Sequence, residues 1–220
     1  TFPRCYIDVN RAENDIDAAV LAEAWDAPLT PTERTALGLG LVRRLCSAGV
    51  PVYAAPLAMA DVKRRIELYY RPYHAALEAA MRQRLAAFGS AYLLDCHSMP
   101  SRSPDDPQAA RADFILGDRN GTSCDPSFTR MVADLLHELG YSVALNEPYK
   151  VMEIVRRHGQ PEKGAHALQI EINRRLYMDE RRLEKHDGFA VLRRNLASFL
   201  AALSSELLRA APVQIPLAAE

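Results

Sequence analysis

Hydrophobic and polar positions alternate in some stretches of this chain and recur every three to four residues in others. The clearest alternation is HALQIEIN (166–173). Gln169, Glu171 and Asn173 share one face of an extended segment there, and Leu168, Ile170 and Ile172 share the other. Taken alone, that pattern reads as an edge strand with one wet face. RCYIDV (4–9) alternates too, and AYLLDC (91–96), DFILGD (113–118) and YSVALN (141–146) are short runs of strand formers. Helical spacing marks 59–89, where Pro72 predicts a break or kink at Tyr70–Arg71. It also marks 187–209, with Phe189, Leu192, Leu196, Phe199, Leu200 and Leu203 on one side. Two more predicted helices carry start and stop signals. One covers 30–49, with Thr30 as cap, Pro31, Glu33 and a closing Gly49; the other covers 125–140, with Asp125, Pro126 and Gly140 in those roles. The stretches 98–112 and 147–164 read as surface loops.

Strands and helices taking turns predict an α/β fold: a three-layer, mixed but mostly parallel sheet flanked by helices, in one domain spanning 1–220. In such sheets chemistry collects outside the carboxyl ends of the strands. Composition agrees, since 49% of residues are apolar, spread along the whole length, and 25% are charged, as in a globular protein with a sizeable core. The net charge of -1, with acids interspersed among the basic pairs, excludes a nucleic-acid footprint. No apolar run reaches the ~20 residues that span a bilayer, so no membrane partner is expected. Cysteines 5, 46, 96 and 124 form no CxxC pair, and they read as reduced thiols of a cytoplasmic protein. The chain opens at Thr1 without an initiating methionine, so a further segment upstream is expected.

Polar groups gather where the predicted strands end. Asp8, Asn10 and Arg11 close the first, Asp95, His97 and Ser98 the second, Asp118 and Arg119 the third, while Glu171 stands inside the fourth. Singly, each has a plain reading as a cap, a turn or a solvated side chain. Together they form a hydrolytic set. An imidazole nitrogen suits zinc, a nearby carboxylate can take a proton from zinc-activated water, and an Asn-Arg pair offers a fork of donors to a substrate carboxylate. That combination predicts metal-assisted hydrolysis of an amide beside a free acid in a small molecule. Ser98 suggests a Ser/His/Asp hydrolase instead, but CHSMP lacks the glycines of a nucleophile elbow. His74, His137 and His186 lie in or beside helical segments and read as surface or packing residues.

With those residues in view, the chain resembles the N-formylglutamate amidohydrolases. The resemblance runs through YIDVNR, PYH (72–74), DCHSMP (95–100), DFILGDRNGTSC (113–124), NEPYK (146–150) and HGQPEKGAHALQIEINRRLYMDE (158–180). It implies a fold like that of the zinc carboxypeptidases, with about eight strands between helices. It implies a Zn2+ cofactor held in part by His97, with the remaining ligands expected upstream of Thr1. By the same resemblance Glu171 is the general base, Asn10 and Arg11 clamp the substrate carboxylate, and Asp8 orients the early zinc histidine. Tyr149 resembles a tyrosine that closes over substrate, and Arg119 is a candidate to stabilise the oxyanion. The implied reaction releases formate and L-glutamate from N-formyl-L-glutamate, as in histidine degradation. A non-catalytic ligand-binding member of the fold, and a related peptidase or acylamino-acid hydrolase, stand as alternatives. PYKVMEIVRR departs from the family's glycine-bearing loop after PYK, which bears on substrate preference.

Overall fold

The computed structural model describes residues 2–46, 49–103, 108–148 and 152–210. The chain divides into two compact units, one of residues 1–80 and 152–154, the other of 81–151 and 155–220.

The second unit holds the sheet. Strands β1 (Ala91–Met99), β2 (Phe114–Gly117), β3 (Val143–Leu145) and β4 (Ala165–Asn173) lie in the order β1-β4-β2-β3. β1 pairs parallel with β4, and β2 parallel with β3, while β2 and β4 run antiparallel. The sheet is therefore mixed and mostly parallel, as the alternation of elements predicts. A short hairpin of β5 (Met178–Asp179) and β6 (Glu184–Lys185) follows.

One face of the sheet is apolar. Phe114, Leu116, Leu168 and Ile170 pack there against Phe128, Val132 and Leu136 of α4 (Pro126–Glu138) and Leu192, Phe199 and Leu203 of α6 (Gly188–Ala210). α4 starts where expected: the Asp125 side chain accepts the Ser127 N–H at 2.7 Å and Pro126 needs no donor there. On the other face Met81 and Leu85, from the end of α3 (Arg71–Phe88), cover Ala91, Leu93 and Ala165. Helices thus flank the sheet on both sides. β4 is central, not the edge strand its alternation suggested, and its polar face is covered too: Gln169, Glu171 and Asn173 are all buried.

The first unit is mostly turns around a core of Ile7, Ile16, Val20, Leu41, Val42, Val62, Ile66 and Tyr70. The expected strand over 4–9 does not form. Tyr6 N–H closes a turn onto Pro3 O, and Asp8 N–H has a single partner in Leu41 O. The expected helix over 30–49 shrinks to α1 (Glu33–Ala36), capped by Thr32 rather than Thr30. Gly38 turns left-handed at φ 76°, and a side chain at Gly40 would come within 2.8 Å of Asp15 O, so the backbone there packs instead of coiling.

The predicted irregularity before Pro72 is present. α2 (Met59–Arg65) passes through a π turn, Ile66–Tyr70, before α3 begins at Arg71. Pro72 has no N–H for the Leu68 carbonyl, and Arg71 N–H bonds Ile66 O, five residues back. The stretch 147–164 is less of a loop than expected, since it contains α5 (Glu153–His158) and a turn of 3-10 helix, Pro161–Lys163. Among the described residues no helix is long and apolar enough to cross a membrane.

Candidate active site

The register of β1 on β4 sets His97 beside Glu171 and Asp95 beside Gln169. Side chains two apart on a strand share a face, so all four project from the same side of the sheet, opposite the α4 and α6 core. Each strand ties its own pair together. His97 Nε2 lies 2.9 Å from Asp95 Oδ2, and Gln169 Nε2 donates to Glu171 Oε1 at 2.8 Å. Glu171 is 5% exposed and Gln169 is fully enclosed. A buried carboxylate needs such donors, because an unpartnered one is costly to desolvate. His97 stands inside β1 rather than at its end, since the strand continues to Met99.

A histidine that ligates a metal usually gives its second N–H to a carboxylate. Asp95 is in place to take the Nε2 proton of His97, a tautomer that leaves the lone pair on Nδ1. His97 therefore fits a zinc ligand. Among the described residues no three His, Cys, Asp or Glu side chains converge as a complete metal centre would need. Ser98 projects from the reverse face of β1 and its Oγ accepts from Arg174 Nε at 3.3 Å, which separates it from His97. Burial pushes the Cys124 thiol up to about 11 and raises Cys96 as well, with Asp95 adding to the latter, so neither is a thiolate near neutral pH.

Arg119 follows β2. Because β2 is antiparallel to β4, with Gly117 opposite Gln169, its carboxyl end points away from Glu171; the two are not at a common end of the sheet. Arg119 lies two residues past Gly117, whose partner Gln169 already stands two residues back along β4 from Glu171. Arg119 and Asn120 are both left-handed, at φ 54° and 57°, and Gly121 follows at φ 78°. Asn146, itself at φ 62°, clasps this turn. Its Oδ1 accepts the N–H of Asp118 at 3.1 Å and of Asn120 at 3.4 Å, and its Nδ2 donates to Asp118 Oδ1 at 2.8 Å. Thr129 Oγ1 and Gly121 N–H also donate to Asp118. Arg119 Nε is buried without a hydrogen-bond partner.

In the first unit Asp8, Asn10 and Arg11 come together in one loop. Asp8 Oδ1 accepts the Asn10 N–H at 3.1 Å, and Oδ2 accepts from Arg4 Nε at 2.8 Å and Arg43 at 3.3 Å. Asn10 Oδ1 accepts the Ile154 N–H at 2.9 Å. Arg11 is 6% exposed, its nearest acid oxygen is Asp15 Oδ2 at 3.9 Å, and its Nε is buried with no partner. Asp15 is engaged elsewhere, accepting from Thr32 N–H, Thr32 Oγ1 and Thr35 Oγ1. Burial pulls the Arg11 guanidinium down from its ordinary range, and Asp8 works against that. Arg11 is thus a largely desolvated cation whose acid neighbours, Asp8 and Asp15, make no hydrogen bond to its Nε.

Tyr149 lies outside the described residues. Missed in the sequence were the Asn146 clasp and the bond made by His74, which takes the packing side of its expected reading: it is fully buried, with Nε2 donating to Val9 O at 2.9 Å. PYH was visible as a motif, yet only the fold brings residue 74 to residue 9.

Residues 1–178 match the N-formylglutamate amidohydrolase family. Two N-formylglutamate deformylases, from Pseudomonas putida and Pseudomonas aeruginosa, are each 34% identical over 182 residues. Those matches cover 81% of this chain but 62% and 63% of the relatives, so the chain spans less than two thirds of their length. The solved N-formylglutamate amidohydrolase of Ralstonia eutropha is 44% identical, with a TM-score of 0.85 over 95% of this chain and 76% of that one. A gene product of Agrobacterium tumefaciens, 20% identical with a TM-score of 0.56 over 75% of this chain and 62% of its own, shares the fold alone. The His97–Glu171 pair on a mostly parallel sheet, the Asn-Arg loop and a family match over 1–178 lead to one conclusion: this chain belongs to the N-formylglutamate amidohydrolase family.

Proposed function

We propose that the protein hydrolyses the amide of N-acyl amino acids bearing a free carboxylate, N-formyl-L-glutamate first among them, as a zinc-dependent cytoplasmic enzyme of histidine degradation. The observation that carries this reading is Glu171, a buried carboxylate beside His97 on a central strand. The names of the Pseudomonas and Ralstonia relatives support the substrate. A zinc ion held in part by His97 would supply Lewis acidity to the carbonyl oxygen and to water.

The chain's own residues do the rest. Glu171 takes a proton from the attacking water while the water oxygen bonds to the formyl carbon. The C–N bond then breaks, and Glu171 returns the proton to the leaving amine, giving formate and L-glutamate. Gln169 donates to one Glu171 oxygen at 2.8 Å and so orients the carboxylate. Asn10 and Arg11 hold the substrate carboxylate, Asp8 braces their loop, and Tyr149 closes over the substrate. Arg119 stabilises the oxyanion.

The test is formate release from N-formyl-L-glutamate by the full-length protein and its Glu171→Gln variant, with zinc measured on both. A general base contributes about 10²–10⁴ in rate, so the variant should lose at least that lower factor in kcat and keep its zinc. A variant within a few-fold of wild type removes Glu171 as the base. One that loses its zinc makes Glu171 a ligand instead.

A further inference from the structure

The loop from Val9 to Arg11 has no strand pairing to hold it, yet two of its carbonyls are taken by side chains from one helix. Tyr70 Oη donates to Arg11 O at 2.8 Å, and His74 Nε2 donates to Val9 O at 2.9 Å. Both side chains are fully buried, and their rings lie 4.4 Å apart. We propose that Tyr70 and His74 are positioning residues for the carboxylate clamp, and that the π turn before Pro72 exists to aim them at it.

The helix shows why an extra residue is needed. Val62, Ile66, Tyr70 and His74, all buried, are spaced four apart. On an unbroken α-helix each such step overshoots a turn by ~40°, so over three steps the stripe would wander ~120° around the axis. One π turn, with its added residue, takes up ~100° of that drift. Val62 and Ile66 then stay in the core while Tyr70 and His74 reach the loop.

The consequence falls on Arg11. Its guanidinium makes a long ion pair, Nη1 to Asp15 Oδ2 at 3.9 Å, and Asp15 spends its hydrogen bonds on Thr32 and Thr35. The direction of the side chain is therefore set by its backbone, and Tyr70 holds that backbone. Without the hydroxyl, Arg11 can close onto Asp15 and leave the carboxylate site.

This inference rests on Arg11 as the carboxylate clamp of the proposed reaction, and the experiment separates the two. KM and kcat for N-formyl-L-glutamate, and the affinity for glutarate by calorimetry, are measured on wild type, Tyr70→Phe, Arg11→Ala and the double variant. Tyr70→Phe should raise KM and weaken glutarate roughly five- to tenfold, about one hydrogen bond's worth, with kcat little changed. In the Arg11→Ala background the same change should add nothing, because positioning acts only through Arg11. His74→Gln, which keeps a donor, should bind glutarate better than His74→Leu. An equal loss in both backgrounds makes Tyr70 merely structural and overturns the proposal, as does glutarate affinity within twofold of wild type. If wild type binds glutarate but does not hydrolyse N-formyl-L-glutamate, the reaction falls and the calorimetry still decides the positioning. If it binds no dicarboxylate, clamp and positioning fall together.

Discussion

His97 and Glu171 are held by the backbone of two paired strands, whereas Asn10 and Arg11 are held by side chains reaching in from elsewhere in their unit. On β1 and β4 nine consecutive pairs set the register, from Ala91 opposite Ala165 to Met99 opposite Asn173. A substitution at His97 or Glu171 leaves every ladder bond in place, so its effect should be confined to the chemistry of that side chain. The Asp8–Arg11 loop has one ladder-like bond, Asp8 N–H to Leu41 O, and a turn bond from Arg11 N–H to Asp8 O; Ile154 N–H on Asn10 and the side chains of Arg4, Arg43, Tyr70 and His74 do the rest. A change in any of those reaches the functional atoms indirectly. Regular structure insulates a site, and a side-chain scaffold couples it to its neighbours.

The comparison breaks most visibly at His97. His97→Ala should lower kcat/KM for N-formyl-L-glutamate by 100-fold or more and reduce zinc content. Its melting temperature should stay within a few degrees of wild type, because the ladder survives. Metal analysis, rate and thermal melt on one preparation decide it: full zinc with full rate removes His97 as a ligand, and collapse of the fold removes the insulation.

Arg11→Ala comes next. Loss of a buried, charge-assisted fork should cost ~30- to 100-fold in kcat/KM for N-formyl-L-glutamate and far less for a neutral formamide. Equal losses on both substrates would make the arginine structural.

The clasp at Asn146 sharpens the contrast, since it is a side-chain scaffold within the sheet-bearing unit. Asn146→Ala removes three hydrogen bonds and puts a poor residue at φ 62°, which should cost about 2 kcal/mol in urea unfolding. A loss under ~0.5 kcal/mol would mean the Arg119 turn holds itself.

The smallest effect is expected on the reverse face of β4. Burial lowers the His166 pKa, with Asp125 opposing, and the neutral ring accepts Asp125 N–H on Nδ1 at 3.1 Å while stacking on Tyr92. The folded state then binds fewer protons than the unfolded state. This contribution is complete above the ordinary histidine value of ~6.5 and is lost as pH falls below it. Thermal melts at pH 5.5 and 7.5 should show a shallower acid loss for His166→Phe than for wild type. Identical slopes would assign the acid loss to other groups.

The sheet and its polar face were legible because strands write their faces into a period of two. Glu171 could be set on a polar face with Gln169 and Asn173, and α4 announced itself through Asp125, Pro126 and Gly140, from local pattern alone. Local pattern failed where tertiary contacts outweigh it. RCYIDV alternates like a strand but pairs with no strand among the described residues, and 30–49 has helical signals that Gly38 and the packing of Gly40 on Asp15 override.

By itself the sequence determined which face of β4 bears Gln169, Glu171 and Asn173, because a strand's period of two depends on neighbours two positions away. Only the tertiary structure decided that β4 is central, that His97 stands beside Glu171 rather than at a strand end, and that Arg119 leaves the sheet in the opposite direction. It also decided that residues 70 and 74 hold residues 9 and 11. Such contacts join positions some sixty residues apart, and the hydrogen bonds that make them leave no period in the chain.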